Sequence, residues 1–453
     1  MRVSVRYLGT TAVALALACV MASAAGAVVV RTPDGHRYGV MLRKGVTPGS
    51  LAGVSPARSS GKRADNGTLT YTNGVVLHSS APYLVFWDPA GQIPASSRGV
   101  IAGYLGDVAA ASGTATNVYS VLRQYTDTTG FADYRQTFSG AQAILDAQPY
   151  PVKGCAATAA AYPTCLTDAQ VQAELARVIA ARHLPTGTGA NAPVYDVVTP
   201  QSVNICFRQS GSSCSSNAFC AYHSFFAGPD GSDVLYALTP FFVFQYGPKG
   251  CQTDGTANYQ TPHGSGDHGY QIADNLSHEL SETITDPTFG GWFDPASGSE
   301  VGDECATYGA TANPAAGLSP LAYQPTLGGA ENAGTLFDQV INGNEYYNQT
   351  EWSNGDINCR AQTSPGTIAP AFTAPAHSTV GTAVTLDPST SSSTAGFSSE
   401  TWDFGDGSAS VFNRGAPAAT SHTFTARGTY RVTLSVVDML GNLATTSRTV
   451  SVS

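Results

Sequence analysis

A histidine and two glutamates in one short stretch carry the clearest chemistry in the chain. The stretch reads HELSETITDP, at residues 278–287, and places His278 and Glu282 four residues apart. On a helix this spacing puts both side chains on one face, where they can bind one metal ion. Glu279 lies beside them and is free to act as a general base toward water. These residues therefore predict a metal site suited to hydrolysis.

The surrounding pattern predicts the helix that would position these side chains. The helix is predicted at 270–286, within GYQIADNLSHELSETITD at residues 269–286, and Pro287 follows as a helix terminator. Apolar residues recur on one face of this helix. They are Ile272, Ala273, Leu276, Leu280 and Ile284. The alternative to a metal site is that the opposite, polar face is simply solvated.

Carboxylates are concentrated in this helix and in the segment that follows it. Four of the nine glutamates of the chain, at positions 279, 282, 300 and 304, lie within 26 residues. Like charges repel unless a cation or a proton relieves them, so the grouping favours a metal. We predict that Glu300 and Asp303 complete the metal site, and His263 and His268 are the next candidates. Zinc is the expected ion, with calcium as the alternative because carboxylate ligands suit harder cations.

Another histidine stands apart from this group in sequence. His223 lies in FCAYHS, between several cysteines. It is able to approach the metal site, but the sequence favours a hydrogen-bonded structural histidine.

The start of the chain and its charge indicate export. Residues 1–27 combine a basic start, an apolar run and A-x-A patterns, which are typical of a signal peptide. No other stretch predicts a membrane span. The formal net charge is −10, which argues against nucleic acid or an anionic membrane as partner.

Eight cysteines remain after residue 27, and an even number in an exported protein indicates disulfides. Because no C-x-x-C pair occurs, a cysteine-zinc site is disfavoured. Cys155 with Cys165, and Cys305 with Cys359, are plausible pairs. The eight are Cys155, Cys165, Cys206, Cys214, Cys220, Cys251, Cys305 and Cys359.

Composition and periodicity divide the chain into segments. Strand-like apolar runs alternate with helical patterns that begin near Pro94 and Thr167, which predicts an α/β (or α+β) core. The predicted segments are a signal peptide at 1–27, a hairpin and flexible segment at 28–67, the core at 68–362, a linker at 363–370 and a β-domain at 371–453.

The C-terminal part resembles a PKD domain, an immunoglobulin-like β-sandwich. The resemblance lies in WDFGDGS at 402–408, HTF at 422–424 and GTYRVTLSVVD at 428–438. It implies an accessory module of a secreted or surface protein that acts as a spacer or binds protein or polysaccharide, and it implies no catalysis.

The core resembles a group of uncharacterised secreted bacterial proteins. The shared stretches are FCAYHS at 219–224, SHELSETITDP at 277–287, GWFD at 291–294, EVGDEC at 300–305 and EWSNGDINC at 351–359. NGVVLHSSAPYLVFWDP at 73–89 is loosely similar to the phosphate-induced, EXORDIUM-like proteins of plants, which implies an extracellular location. Zinc peptidases (zincins) are similar only over the helix, with Glu282 where their H-E-x-x-H motif has a second histidine. This resemblance implies that the α/β (or α+β) core is zincin-like.

The sequence therefore predicts a secreted, monomeric, metal-dependent hydrolase, most similar to a zinc metallopeptidase, with a PKD module. Its substrate would be an extracellular protein or polysaccharide. One alternative is a non-catalytic EXORDIUM-like protein with a structural cation site. Another is an adhesin that its PKD module anchors to carbohydrate.

Overall fold

The computed structural model describes residues 28–43, 46–52, 54–56, 68–241, 251, 260–305 and 327–453. The predicted signal peptide and residues 57–67 of the predicted flexible segment lie outside these ranges. The helices are α1 Ala95–Ala110, α2 Asp168–Arg182 and α3 Gly269–Thr285. The strands before the C-terminal domain are β1 Val28–Arg31, β2 Arg37–Leu42, β3 Ser55–Pro56, β4 Thr70–Tyr71, β5 Ser80–Trp87, β6 Ala143–Asp146, β7 Thr164–Thr167, β8 Ala192–Val198, β9 Val203–Cys206, β10 Phe219–Ala227, β11 Asp233–Leu238, β12 Trp292–Phe293, β13 Gln339–Ile341, β14 Asn344–Tyr346, β15 Glu351–Ser353 and β16 Asn358–Arg360.

An eight-stranded mixed sheet organises this first domain. Its strand order is β3-β1-β2-β10-β11-β8-β5-β6. The pairs β11–β8, β8–β5 and β5–β6 are parallel, and the remaining pairs are antiparallel. The predicted N-terminal hairpin is therefore not a separate segment, because β2 pairs with β10 at the centre of the sheet.

Helices cover both faces of this sheet. Successive residues of β5 alternate between two hydrophobic cores, Leu84 and Phe86 in one and Val85 and Trp87 in the other. The first core includes α1 and α3, and the second includes α2. The strands are apolar on both faces for this reason.

The helix boundaries follow local signals in the sequence. Pro94 directly precedes α1. Thr167 caps α2, and its backbone N–H donates to Gln170 Oε1 at 2.9 Å in a capping box. Pro287 follows α3 after Asp286, as the sequence predicts.

Helix α3 is buried on its polar face as well as its apolar face. The predicted apolar stripe, for example Ile272 and Leu276, packs in the first core. His278, Glu279 and Glu282, on the other face, are each 0% exposed. The alternative of a solvated helix face is therefore wrong, and the burial of three polar side chains needs an explanation.

The eight predicted cysteines form four disulfide bonds. They are Cys155–Cys165, Cys206–Cys214, Cys220–Cys251 and Cys305–Cys359. The pairs that the sequence favoured are both present. Cys165 Sγ lies 3.6 Å from Cys206 Sγ, but disulfide sulfurs are not thiolate ligands, so this group is not a metal site.

The C-terminal domain is a β-sandwich. Trp402, Phe404, Val432 and Leu434 lie in its separate hydrophobic core. The principal sheet has the order β18-β25-β24-β21-β22. The strands are β17 Ile368–Ala369, β18 His377–Ser378, β19 Ala383–Leu386, β20 Ser392–Ser393, β21 Phe397–Asp403, β22 Val411–Arg414, β23 Thr420–Thr423, β24 Gly428–Asp438 and β25 Leu443–Val452.

Within the described ranges, no helix combines the length and apolar character needed to cross a bilayer.

Candidate metal centre

Three elements bring six ionisable side chains together beneath the sheet. Helix α3 contributes three of them, β10 contributes one, and the loop that follows β12 contributes two. Five are 0% exposed and Asp303 is 4% exposed. The six are His223, His278, Glu279, Glu282, Glu300 and Asp303. We refer to them as the His-carboxylate cluster.

Glu282 lies at the centre of the cluster. Its Oε1 is 3.1 Å from His278 Nε2, the contact between adjacent helical turns that the sequence predicts. Its Oε2 is 3.4 Å from His223 Nδ1. The backbone N–H of Asp303 donates to Glu282 Oε1 at 3.0 Å, which fixes the following loop against α3.

Asp303 completes the side of the cluster that contains His278. Its Oδ1 lies 3.5 Å from His278 Nε2. Its Oδ2 accepts a hydrogen bond from the Glu300 backbone N–H at 2.8 Å, so the loop orients the carboxylate. A Cβ at Gly302 would lie 2.5 Å from His278 Nδ1, so the backbone approaches this ring as only glycine allows.

Glu279 and Glu300 lie on the side that contains His223. Glu279 Oε2 is 3.2 Å from His223 Nδ1, and Glu300 Oε1 is 3.5 Å from His223 Nε2. The ring stacks on Phe289, with centroids 5.1 Å apart. Both ring nitrogens of His223 therefore face carboxylates.

Burial and mutual repulsion perturb the pKa values of this cluster. Burial, followed by the charge of Glu282, raises the pKa of Asp303 well above its usual range. Burial also raises the pKa of Glu300 strongly and that of Glu279 to about 7. Burial also acts to raise the pKa of Glu282, but the nearby His278 and His223 outweigh the effect of burial and lower this pKa.

Burial acts in the opposite direction on the pKa values of the two histidines. Burial disfavours their charged form, but the surrounding carboxylates outweigh it and raise the pKa of both His223 and His278. Among the described residues, no lysine or arginine forms an ion pair with the four carboxylates of the cluster.

Several atoms of the cluster have no hydrogen-bond partner although they are buried. Buried polar atoms are nearly always paired, so such a group indicates a missing partner. Nitrogen and carboxylate oxygen are ligands that zinc accepts, and they therefore fit a metal ion. The unpaired atoms are His223 Nε2, His278 Nδ1 and Nε2, Glu279 Oε1, Glu282 Oε2, Glu300 Oε1 and Oε2, and Asp303 Oδ1.

The structure brings together all five predicted site residues and excludes the two further candidates. His263 is 67% exposed in its side chain and lies 3.3 Å from Glu345. His268 directly precedes α3, and ten residues of helix, about 15 Å, separate it from His278. Neither residue belongs to the cluster.

His223 is the residue whose role the sequence did not identify. It lies 55 residues before His278 in sequence, and only the pairing of β10 within the sheet places it over α3. The signal that could have found it is its place in FCAYHS, one of the stretches that carry the predicted resemblance of the core to secreted bacterial proteins. Glu351, in EWSNGDINC, is also 0% exposed, and burial raises its pKa strongly although His278 acts in the opposite direction.

Comparisons with known proteins identify the C-terminal domain. A family model for the PKD domain matches residues 367–452. The PKD1 domain of the Vibrio cholerae metalloprotease PrtV is 31% identical over 19% of this chain and 96% of that chain, with a TM-score of 0.16. The PKD domain of an M14-like peptidase from a Thermoplasmatales archaeon is 21% identical over 19% of this chain and 98% of that chain, with a TM-score of 0.16.

These comparisons assign no family to the first domain, and they do not show the expected zincin-like core. OgpA from Akkermansia muciniphila, in a complex with an O-glycopeptide substrate, is 10% identical over 83% of this chain and 94% of that chain. Its TM-score of 0.18 is too low to assign a fold. No curated protein matches the chain. Residues 367–452 are a PKD domain, as the C-terminal motifs predict, and its family model starts four residues before the predicted boundary.

Proposed function

We propose that this protein is a secreted, metal-dependent hydrolase of the zinc metallopeptidase class. The observation that supports the proposal is the buried His-carboxylate cluster, whose negative charge no lysine or arginine balances among the described residues. A divalent cation would provide that balance. The PKD domain and the four disulfides are typical of extracellular proteins.

His278, Glu282 and Asp303 are the proposed zinc ligands. Ligand atoms at about 2.0–2.2 Å from a tetrahedral zinc ion lie roughly 3.3–3.6 Å from one another. The distances from His278 Nε2 to Glu282 Oε1 and to Asp303 Oδ1, 3.1 Å and 3.5 Å, suit this arrangement. When bound, zinc would supply Lewis acidity toward a carbonyl group and lower the pKa of water.

Glu279 is the proposed general base. His223 holds one of its oxygens, Oε2, at 3.2 Å, and the other oxygen, Oε1, has no partner. A carboxylate anchored on one side with its other oxygen unpaired is suited to accept a proton from water beside the ligands. His223 would act as a positioning residue for this step.

The substitution Glu279→Gln tests the catalytic role. We expect the variant to keep its fold and bound zinc but to hydrolyse casein or an O-glycosylated peptide about 10²–10⁴-fold more slowly, since it lacks the base. Glu174→Gln is the matched control, because Glu174 lies on α2, across the sheet from the cluster. Equal turnover in Glu279→Gln and wild type would contradict the proposal.

The complete burial of the cluster favours a second candidate function. Because Glu279 and both histidines are 0% exposed, the same residues also suit a structural cation in a non-catalytic EXORDIUM-like protein. In that case His278→Ala would lower the melting temperature, and the metal-loaded wild type would hydrolyse none of a panel of peptide and glycopeptide substrates. Turnover by the wild type that His278→Ala abolishes while remaining folded would reject this alternative.

A further inference from the structure

We infer that the His-carboxylate cluster is a two-metal centre in which Glu282 bridges two divalent cations. The inference rests on the proposed metal site and extends it. In two-metal hydrolytic sites the ions lie about 3.5–4 Å apart, a distance that one carboxylate spans with its two oxygens.

The two oxygens of Glu282 face different histidines. Oε1 contacts His278 at 3.1 Å, and Oε2 contacts His223 at 3.4 Å. Each histidine is also in contact with a further carboxylate. Asp303 lies 3.5 Å from His278, and Glu300 lies 3.5 Å from His223. Glu282 and Glu300 contact different nitrogens of the His223 ring, but one ligand atom from each of these three residues lies within 4.8 Å of the others. The cluster can therefore be divided into two half-sites, each with one histidine and one carboxylate, which share Glu282.

A single ion would leave one half-site unsatisfied. Both oxygens of Glu300 are buried without a hydrogen-bond partner, and so is Asp303 Oδ1 in the other half-site. The Glu300 carboxylate contacts His223 rather than His278. An ion held by His278 and Asp303 would therefore leave the Glu300 carboxylate without a cation. Buried carboxylate oxygens without a donor are costly, and a second cation relieves this cost.

The charge balance is compatible with two ions. Glu279, Glu282, Glu300 and Asp303 carry four negative charges when ionised, and histidines that bind a metal are neutral and add none. One divalent ion would leave two of these buried charges to be balanced by protons. Two divalent ions would neutralise all four carboxylates.

Each half-site has a glycine that makes room for its histidine. A Cβ at Gly302 would lie 2.5 Å from His278 Nδ1. A Cβ at Gly39 would lie 2.5 Å from Glu300 Oε2 and would overlap the His223 ring. The two glycines come from different segments, a loop and β2, so the backbone approaches both rings from independent directions.

Metal counting on the full-length protein tests the inference. The protein is freed of metal with a chelator, titrated with Zn²⁺ by calorimetry, and analysed for zinc after removal of free ion. We expect two zinc ions per chain in the wild type and in the control Glu174→Gln. Glu300→Gln should retain one, and Glu282→Gln should lose both or bind them at least tenfold more weakly.

Substitution with Mn²⁺ tests the bridge independently of any variant. Two manganese ions that share a carboxylate give an exchange-coupled electron paramagnetic resonance spectrum, whereas separate ions give two uncoupled six-line signals. An uncoupled pair would overturn the bridging role of Glu282. One zinc ion per chain in the wild type would overturn the two-metal inference but leave the proposed hydrolase intact, and no bound metal would overturn both.

Discussion

Gly39 faces His223 in the register of the central sheet, where β2 pairs with β10. A glycine at this position leaves the space that the His223 ring and the Glu300 carboxylate occupy. The position therefore connects an ordinary strand pair to the geometry of the His-carboxylate cluster. Any larger side chain must displace a residue of the cluster or separate the strands.

Gly39→Ala is expected to disturb the half-site around His223. Overpacking a buried position costs about 1–3 kcal/mol, so the free energy of unfolding should fall by that amount. Zinc content should fall as well, because the His223 ring must move. Gly99→Ala is the matched control, since Gly99 is exposed on α1 and its Cβ would meet no atom within 4 Å. Denaturant titration and zinc analysis of both variants provide the measurement, and unchanged zinc content in Gly39→Ala would contradict the expectation.

At the level of single residues, the sequence predicted side chains that lie close together along the chain. His278, Glu279 and Glu282 share one helix, so the helical repeat alone brings them to one face. Glu300 and Asp303 were identified by the density of carboxylates in a weakly charged chain. His223 had no such local signal, because its proximity depends on strand pairing over a long sequence separation.

Among the elements, the loop that carries Glu300 and Asp303 depends on a disulfide for its position. Cys305 ends the short 3-10 turn that contains Asp303, and its disulfide to Cys359 fixes that turn against β16. The backbone N–H of Trp352 also donates to Val301 O at 3.0 Å. The loop is thus held by β15 and β16 as well as by α3.

Replacing both Cys305 and Cys359 with serine should destabilise the protein and weaken metal binding. The bond closes a loop with a sequence separation of 54, for which chain entropy predicts a loss of about 4 kcal/mol. Metal affinity should fall because Asp303 loses its anchor.

The matched control is the double substitution of Cys155 and Cys165, which are joined over a sequence separation of 10 and lie outside the cluster. This variant should lose less stability, about 3 kcal/mol, and keep its metal. Denaturation without reductant, together with zinc analysis, compares the two variants. Equal metal content in both would show that the disulfide does not position the site.

For the whole molecule, the PKD domain contacts the first domain directly. The Arg414 guanidinium lies over the Tyr71 ring, 4.1 Å from its centroid, and donates through Nε to Thr126 Oγ1 at 2.8 Å. Ser398 Oγ donates to the Gln124 carbonyl oxygen at 2.8 Å. The two domains therefore share a defined interface.

The predicted linker also contacts the first domain. Thr363 is buried, and its Oγ1 donates a hydrogen bond to Ser120 Oγ.

Arg414→Ala should loosen this interface without unfolding either domain. A cation–π contact and one hydrogen bond contribute about 1–3 kcal/mol, so we expect faster cleavage by subtilisin within residues 363–370. Arg427→Ala is the matched control, because Arg427 is exposed in the PKD domain. Calorimetry should show unchanged unfolding of the PKD domain in both variants. Equal cleavage rates would contradict a stabilising role for the Arg414 contact.

The sequence by itself determined the local features of this protein. The helical repeat determined α3 and the face that carries His278 and Glu282, Thr167 and Pro94 marked helix starts, and the C-terminal motifs determined the PKD domain. Each of these signals arises from interactions between residues near in sequence, which leave a periodic or motif pattern.

Only the tertiary structure decided how the site is assembled. It buried the polar face of α3, placed His223 opposite Glu282 through the sheet, and separated Glu300 from Asp303 into two half-sites. Strand order and loop packing produce these contacts between residues far apart in the chain, and no periodicity in one sequence records them. For this reason the sequence predicted a single metal site, whereas the contacts in the folded chain led us to propose two.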